Sequence, residues 1–127
     1  MRLPNKMSKV MLIEDDPIML TLLVHLLELE GYSVAVNAAD GSLEQVLWSI
    51  EHEHPDLVIL DVNLGDYSGF DVLARMKAHD NLQYTPVLMS SGIEYTQQSQ
   101  DAGADGFILK PYMPDDFVGY IQHVLGQ

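Results

Sequence analysis

The sequence contains no cysteine and few basic residues, and each shortage excludes a class of protein. Without cysteine there is no disulfide framework and no thiol chemistry. Six lysines and arginines stand against 19 aspartates and glutamates, and the formal net charge of -13 repels phosphate backbones and anionic lipids. We therefore expect no direct binding to nucleic acid.

Long apolar runs are also missing. The most apolar stretch, IMLTLLVHLLELE at 18–30, is interrupted by Thr21, His25 and Glu28, whereas a membrane span needs about 20 predominantly apolar residues. The stretch predicts a buried amphipathic helix and no membrane insertion. The N-terminal MRLPNKMSKV is not followed by a signal-peptide pattern, because acidic residues begin at Glu14, so we expect a cytoplasmic protein. Met7 is an alternative start.

Two patterns alternate along the chain. Short apolar runs predict strands that are buried on both faces, at 9–13, 33–36, 56–60, 86–90 and 105–110. Segments with helical periodicity separate them, at 17–30, 42–53, 68–79, 94–102 and from 114 onward. This alternation predicts an α/β fold with a doubly wound parallel sheet, in one domain over 9–127 that follows an N-terminal tail at 1–8.

Polar side chains follow four of the predicted strands, at the point where each strand ends. Glu14 and Asp15 follow the first strand, Asp61 ends the third, Ser91 the fourth and Lys110 the fifth. The carboxyl ends of parallel strands meet at one edge of a sheet, where α/β proteins bind their ligands. We therefore expect these side chains to lie together.

Three carboxylates at one edge repel one another by about 4 kcal/mol per pair at ~4 Å and an effective dielectric near 20. Mg²⁺ prefers oxygen ligands and would offset this repulsion, so Glu14, Asp15 and Asp61 are candidate ligands. Lys110 can pair with a carboxylate at rest and with a phosphoryl group when one is present, and Ser91 can donate its hydroxyl to the same group. An ionised carboxylate needs no base to attack phosphorus, which makes Asp61 a candidate phosphoacceptor. For Asp16 we favour a helix N-cap instead.

Four segments resemble the receiver domain of two-component response regulators: VMLIEDDP, PDLVILDVNL, PVLMSSG and GADGFILKP. Their order and spacing extend the resemblance over about Lys9 to Leu125. It implies a flavodoxin-like sheet of five parallel strands in the order 2-1-3-4-5, with about five helices. It also implies a sensor histidine kinase or histidine phosphotransfer protein as the phosphodonor.

The resemblance assigns roles to individual residues and makes the Lys110-Pro111 bond a candidate for the cis form. Gly65 stands where many relatives have proline, so we expect a mobile loop after the third strand. The implied roles are Asp61 as phosphoacceptor, Glu14, Asp15, Asp61 and the main-chain carbonyl of Asn63 for Mg²⁺, Ser91 and Lys110 for the phosphoryl group, and Ser91 with Phe107 as the switch.

The leading interpretation is a stand-alone receiver that switches a downstream protein partner through its fourth helix, fifth strand and fifth helix. A homodimer is one possible form. We expect slow self-dephosphorylation and no multiple-turnover catalysis. The alternatives are a phosphorylation-independent interaction module, the receiver half of a larger regulator, and a phosphohydrolase. A phosphohydrolase usually needs a general acid two positions after the nucleophile, and Asn63, which occupies that position, cannot donate a proton in this way. Trp48 lies opposite the apolar stripe of its predicted helix, so we expect it to be exposed.

Overall fold

A computed structural model of the chain describes residues 8–127. Apart from Ser8, the predicted tail at 1–8 lies outside the described residues, and so does Met7 as an alternative start. Strands and helices alternate strictly along the described part of the chain. The elements are β1 (Lys9–Ile13), α1 (Pro17–Leu29), β2 (Ser33–Asn37), α2 (Leu43–Glu53), β3 (Leu57–Asp61), α3 (Gly69–Lys77), β4 (Val87–Ser91), α4 (Thr96–Asp101), β5 (Gly106–Leu109) and α5 (Pro114–Val124).

The strands form one parallel sheet in the order β2-β1-β3-β4-β5. This arrangement confirms the predicted flavodoxin-like fold with its five strands and five helices. The two central strands, β1 and β3, pair with each other from Val10 opposite Leu57 to Ile13 opposite Leu60. Each strand is joined to the next one in the chain through a helix, because a tight hairpin can join only antiparallel strands.

Alternating side chains of the sheet point into two separate cores, one on each face. On one face Met11, Val58 and Met89 pack against α2 and α3, and α4 closes this layer. On the other face Leu12 and Ile59 pack against α1 and α5.

The prediction of burial on both faces holds for the three inner strands β1, β3 and β4, which explains their lack of polar alternation. It is wrong for the edge strands β2 and β5, where Val36 and Leu109 are exposed because an edge strand has a neighbour on one side only.

The helix starts agree with the caps expected from sequence. The Asp16 carboxylate accepts hydrogen bonds from the backbone N–H groups of Ile18 and Met19, so it is the N-cap of α1. Ser42 caps α2 in a reciprocal arrangement with Gln45. Each cap satisfies backbone donors that have no partner inside the helix.

The prediction that the first helix is buried holds for only one of its faces. Leu20, Leu23 and Leu27 are buried against the sheet, but Ile18 is 81% exposed and Leu22 is 61% exposed. A helix in an outer layer has one neighbour, and the apolar residues on its far side stay in water. α1 therefore presents an apolar row to solvent.

Trp48 is 65% exposed on α2, which confirms the prediction, and its ring stacks on His52 at a centroid distance of 4.8 Å. None of the helices in the described part of the chain has both the length and the apolar character that crossing a membrane requires.

Candidate functional site

The carboxyl ends of the two central strands carry two buried acids. Asp61 is the last residue of β3, which is buried along its whole length, and only 7% of Asp61 is exposed. Glu14 follows β1 and is 4% exposed, and its backbone N–H donates to the Asn37 carbonyl at 3.2 Å. The sheet therefore holds both carboxylates in place at the ends of β1 and β3. Asp15, the residue after Glu14, is exposed.

Glu14, Asp15 and Asp61 each offer a carboxylate oxygen, and these three oxygens lie within 4.8 Å of one another. The sequence prediction that these acids meet at one edge of the sheet is therefore correct. Such a group of hard oxygen donors fits a divalent cation such as Mg²⁺, and an acidic cluster of this kind is typical of a receiver magnesium site.

Lys110 enters the same site from the end of β5. Its ammonium group donates to Glu14 Oε1 at 2.6 Å and to Asp61 Oδ1 at 3.2 Å. The lysine therefore pairs with two buried carboxylates, and the shorter contact is with Glu14. A charge-assisted hydrogen bond in such surroundings is stronger than one on the surface. The sequence predicted one carboxylate partner for Lys110, and the structure supplies two.

The pKa values of Asp61 and Lys110 show how strongly the groups interact. Burial raises the pKa of Asp61 to about 7, with a further contribution from Glu14, while Lys110 acts in the opposite direction. Burial alone would lower the pKa of Lys110, but its contacts with Glu14 and Asp61 outweigh burial and raise it above the ordinary value. Lys110 therefore stays charged, whereas an ionised Asp61 is costly without further positive charge.

Ser91 and Phe107 lie on the opposite face of the sheet from Glu14, Asp61 and Lys110. Ser91 ends β4 and is fully buried, and its Oγ accepts a hydrogen bond from the Ile93 backbone N–H at 3.1 Å. Phe107 is half-buried and packs on the core that α2, α3 and α4 cover. Neither side chain belongs to the ion-pair group of Glu14, Asp61 and Lys110.

The loop after β3 is drawn tightly around Asp61. Asn63 forms an isolated antiparallel bridge with Ser68, and the Gly69 backbone N–H donates to the Val62 carbonyl at 2.7 Å. Gly65 has a φ of 83°, a conformation that glycine adopts readily and other residues rarely do. The Lys110-Pro111 peptide bond is cis, as the resemblance implied.

Gly69 is a site residue that the sequence reasoning missed. A Cβ atom at this position would lie 2.2 Å from the main-chain oxygen of Asp61, so only glycine permits the observed approach of α3 to the end of β3. The available signal was its place at the start of α3, directly after the Ser68 cap. This position predicts where the helix starts, but it does not predict that Gly69 lies against the main chain of Asp61.

Fold and site together define a class, a doubly wound α/β domain with a buried acid-lysine group at the centre of its ligand-binding edge. The chain matches the family described as "Response regulator receiver domain" over residues 10–122, and it belongs to this family. Receiver domains act in two-component signalling, where histidine kinases are their partners; they are phosphoacceptors rather than multiple-turnover enzymes.

Similar proteins include regulators and solved receiver structures. The DNA-binding dual master transcriptional regulator RpaA of Synechocystis is 32% identical over 122 residues, which cover 94% of this chain and 49% of RpaA. The chain thus spans about half the length of this relative. A CheY-like receiver domain protein from Methanospirillum hungatei is 30% identical with a TM-score of 0.82, and 95% of each chain is covered. Chemotaxis protein CheY4 of Vibrio cholerae is 25% identical with a TM-score of 0.84, covering 94% of this chain and 99% of CheY4.

Proposed function

We propose that this protein is a phosphorylation switch in which Asp61 accepts a phosphoryl group from a sensor histidine kinase or a histidine phosphotransfer protein, with Mg²⁺ as cofactor. The observation that carries the proposal is the placement of one buried aspartate between a second acid and a lysine at the end of the central strand. A scaffold without phosphoryl chemistry gains nothing from burying these charges together.

The transfer forms a bond between an Asp61 carboxylate oxygen and phosphorus, and it breaks the bond between phosphorus and the donor's imidazole nitrogen. The electron pair of the broken bond remains on the imidazole. Lys110 turns from the carboxylates towards the phosphoryl oxygens and offsets part of their negative charge. Ser91 donates its hydroxyl to the same oxygens, and its Oγ can go on accepting from the Ile93 backbone N–H, because a hydroxyl donates and accepts at once.

The residues that would hold Mg²⁺ are Glu14, Asp15 and Asp61, together with the main-chain carbonyl of Asn63. When bound, the cation supplies positive charge that relieves the repulsion among the carboxylates and favours the ionised form of Asp61. The raised pKa of Asp61 supports this assignment, because the described side chains alone do not supply enough positive charge.

Ser91 and Phe107 would carry the change from the phosphorylated edge to a downstream protein partner. Both lie on the side of the sheet next to α4, and α4, β5 and α5 form the proposed output face. Phe107 lacks the phenolic hydroxyl of a tyrosine, so its ring can respond only by packing. A homodimer is one form that this output can take.

The phosphodonor must cover the edge that holds Asp61, and the neighbouring surface suits such a contact. The exposed side chain of Leu22 on α1 lies beside the segment from Lys110 to Pro114, where Met113 is 67% exposed. Apolar surface next to a reactive group favours a protein donor over a small molecule alone. We infer that α1 and this segment contact the kinase or phosphotransfer protein.

Stand-alone action in the cytoplasm is part of the proposal, with the receiver domain over 9–127. The likeness to CheY4 over 99% of that chain supports it, whereas the greater length of RpaA supports the alternative of a receiver within a larger regulator. The mass of the native protein, detected by an antibody in the source cells, distinguishes the two. A band near 14.2 kDa supports the stand-alone form, and a band of twice that mass contradicts it.

The phosphoacceptor role is tested by incubating the protein with Mg²⁺ and acetyl phosphate, followed by intact-mass measurement. We expect one phosphoryl group on the wild type, none on Asp61→Asn and none in excess EDTA. The matched control is Asp66→Asn, which removes an exposed carboxylate from the same loop and should still be labelled. An unlabelled wild type would favour the phosphorylation-independent interaction module, whereas an Asp61→Asn protein labelled as fully as the wild type would show that Asp61 is not the phosphoacceptor.

A further inference from the structure

Two hydroxyl groups are buried close to the ion-pair group of Glu14, Asp61 and Lys110 and take no part in the proposed phosphoryl transfer. Ser90 is 2% exposed, and the phenol oxygen of Tyr112 is likewise out of contact with solvent. Neither oxygen has a hydrogen-bond partner among the described residues. A buried hydroxyl without a partner costs about 1–3 kcal/mol, so two of them near a proposed reaction centre call for an explanation.

Both groups lie on the same side of the sheet as the ion pairs. Ser90 stands opposite Asp61 in the β3-β4 register, and its neighbour two positions earlier, Leu88, points into the core of α1 and α5. Tyr112 follows Lys110 by two residues and packs on the same core. Ser91 and Phe107 point to the opposite side, so this second hydroxyl pair is separate from the proposed switch.

The surroundings of the phenol place it close to the site. Burial raises the pKa of Tyr112, while the Lys110 ammonium and then the Ser90 hydroxyl oppose this effect. Glu14 and Asp61 add to the rise by their charge. Both hydroxyls are buried on the same face of the sheet, with Ser90 opposite Asp61 and Tyr112 two residues after Lys110, and no hydrogen bond joins them in the described structure.

The ring of Tyr112 is held on its other side. It stacks on Phe117, with a centroid distance of 5.0 Å and an angle of 7° between the planes, and Phe117 is fully buried. Tyr112 also lines an apolar cavity of about 240 Å³ together with Lys110, Pro111 and residues of α1. A ring fixed by stacking leaves its hydroxyl little freedom, so the Tyr112 hydroxyl is held in place while the Ser90 side chain can rotate.

We propose that Tyr112 is a positioning residue for Lys110, and that its hydroxyl pairs with Ser90 to tie the segment 110–112 to the end of β4. This inference rests on the proposed function of Asp61. Lys110 must reach Glu14 and Asp61 at rest and a phosphoryl group afterwards, and it can do so by side-chain rotation alone if its backbone stays in place. The Ser90-Tyr112 contact supplies that fixed point within two residues of the lysine.

The experiment compares Tyr112→Phe, Ser90→Ala and the double variant with two controls. Tyr120→Phe removes an exposed phenol from α5, and Ser99→Ala removes another buried hydroxyl that lacks a partner among the described residues. With acetyl phosphate and saturating Mg²⁺, each test variant should be labelled about tenfold more slowly than the wild type, because a small misplacement of a charge-neutralising group is costly. The double variant should be no slower than either single variant, since both remove the same contact. The controls should keep the wild-type rate.

A second measurement requires no phosphorylation. NMR spectra are recorded on the unphosphorylated proteins without phosphodonor. Compared with the wild type, the side-chain CH₂ signals next to the Lys110 ammonium should shift in Tyr112→Phe and Ser90→Ala and stay unchanged in the controls. A loss of folding stability alone would leave these signals in place. If the Lys110 signals shift but the wild type gains no phosphoryl group from acetyl phosphate, the proposed function is overturned and the positioning role of Tyr112 is kept. Unmoved Lys110 signals, or additive rate losses in the double variant, would overturn the positioning role.

Discussion

At the scale of single residues, the site is a balance of buried charges that is incomplete without a cation. Lys110 contributes one positive charge, whereas Glu14 and Asp61 contribute two negative charges when both are ionised. The raised pKa of Asp61 expresses this imbalance. An ionised aspartate held in this way is costly in the folded protein, so removing its charge should change the free energy of unfolding.

Asp61→Asn should stabilise the protein in EDTA. The pKa of Asp61 rises from 3.8 in the unfolded chain to about 7 in the folded protein, so the folded state binds the proton more tightly. The stability of the wild type therefore falls as the pH rises from about 4 to about 7, and the ionised side chain costs a constant amount above that. We expect the variant to be more stable by about 1 to 3 kcal/mol at pH 8 and by little at pH 4.

Urea unfolding at the two pH values measures this difference. Asp66→Asn, at an exposed carboxylate, is the control and should match the wild type at both. An Asp61→Asn protein that is equally stable or less stable at pH 8 would show that ionised Asp61 carries no net cost.

Gly69→Ala should destabilise the protein and displace Asp61. The new Cβ atom would meet the main-chain oxygen of Asp61 at 2.2 Å, and relieving this contact requires a backbone shift, since no flexible side chain is involved. We expect a loss of about 2 kcal/mol or more in urea unfolding, together with slower phosphorylation. Gly119→Ala is the matched control, because its Cβ atom meets nothing within 4 Å in the middle of α5, where alanine should add about 0.5–1 kcal/mol.

The sequence was sufficient to find the carboxylates and the lysine, because each directly ends or follows an apolar strand. It could not show that Lys110 contacts Glu14 more closely than Asp61, or that Gly69 touches the end of β3. These are distances between segments far apart in sequence. A period of two or 3.6 residues predicts which face a residue lies on, but it does not predict such distances.

At the scale of secondary-structure elements, the fold was predicted almost completely. The strand bounds in the structure differ from the predicted ones by one residue at most, since burial on both faces produces continuous apolar runs. The least accurate helices were α3, predicted at 68–79 and found at Gly69–Lys77, and α4, predicted at 94–102 and found at Thr96–Asp101.

The start of α4 was the harder to predict. Its sequence TQQSQD has no apolar stripe, and its N-cap Tyr95 makes no side-chain capping bond, so no local signal marked its start.

Asp15 and Asp16 are adjacent at the start of α1, but the structure places Asp15 in the acidic cluster and makes Asp16 the helix cap. Asp16→Ala should lower the free energy of unfolding by about 0.5–2 kcal/mol, because the cap of α1 is lost, and should leave Mg²⁺ affinity unchanged. Asp15→Asn should weaken Mg²⁺ binding and leave stability nearly unchanged, because Asp15 is exposed and belongs to the acidic cluster. Urea unfolding and calorimetric Mg²⁺ titration of both variants measure the two effects. Reversed effects would exchange the two assignments.

At the scale of the whole molecule, net charge and the apolar row on α1 oppose each other. A net charge of -13 keeps copies of the chain apart at neutral pH, although Ile18, Leu22 and Leu29 are exposed. As the pH approaches 4.3, where the net charge vanishes, this repulsion disappears and the apolar rows can meet.

We therefore expect light scattering to rise steeply between pH 6 and about 4.5, and to rise less in a variant with Ile18→Ser and Leu22→Ser. A variant with Tyr84→Ser, which removes an exposed aromatic ring elsewhere, should behave like the wild type. Equal scattering of all three proteins would show that α1 is not the surface of contact.

The ion pairs of the site also have a consequence for the order of events during folding. The Lys110-Glu14 contact joins residues 96 positions apart, and Lys110-Asp61 joins residues 49 apart. The loops closed by these contacts are among the longest in the chain, and contacts of this kind form after local ones. Phosphoryl acceptance should therefore return last in a refolding experiment, later than helical circular dichroism, so recovered reactivity would be a stringent measure of complete folding.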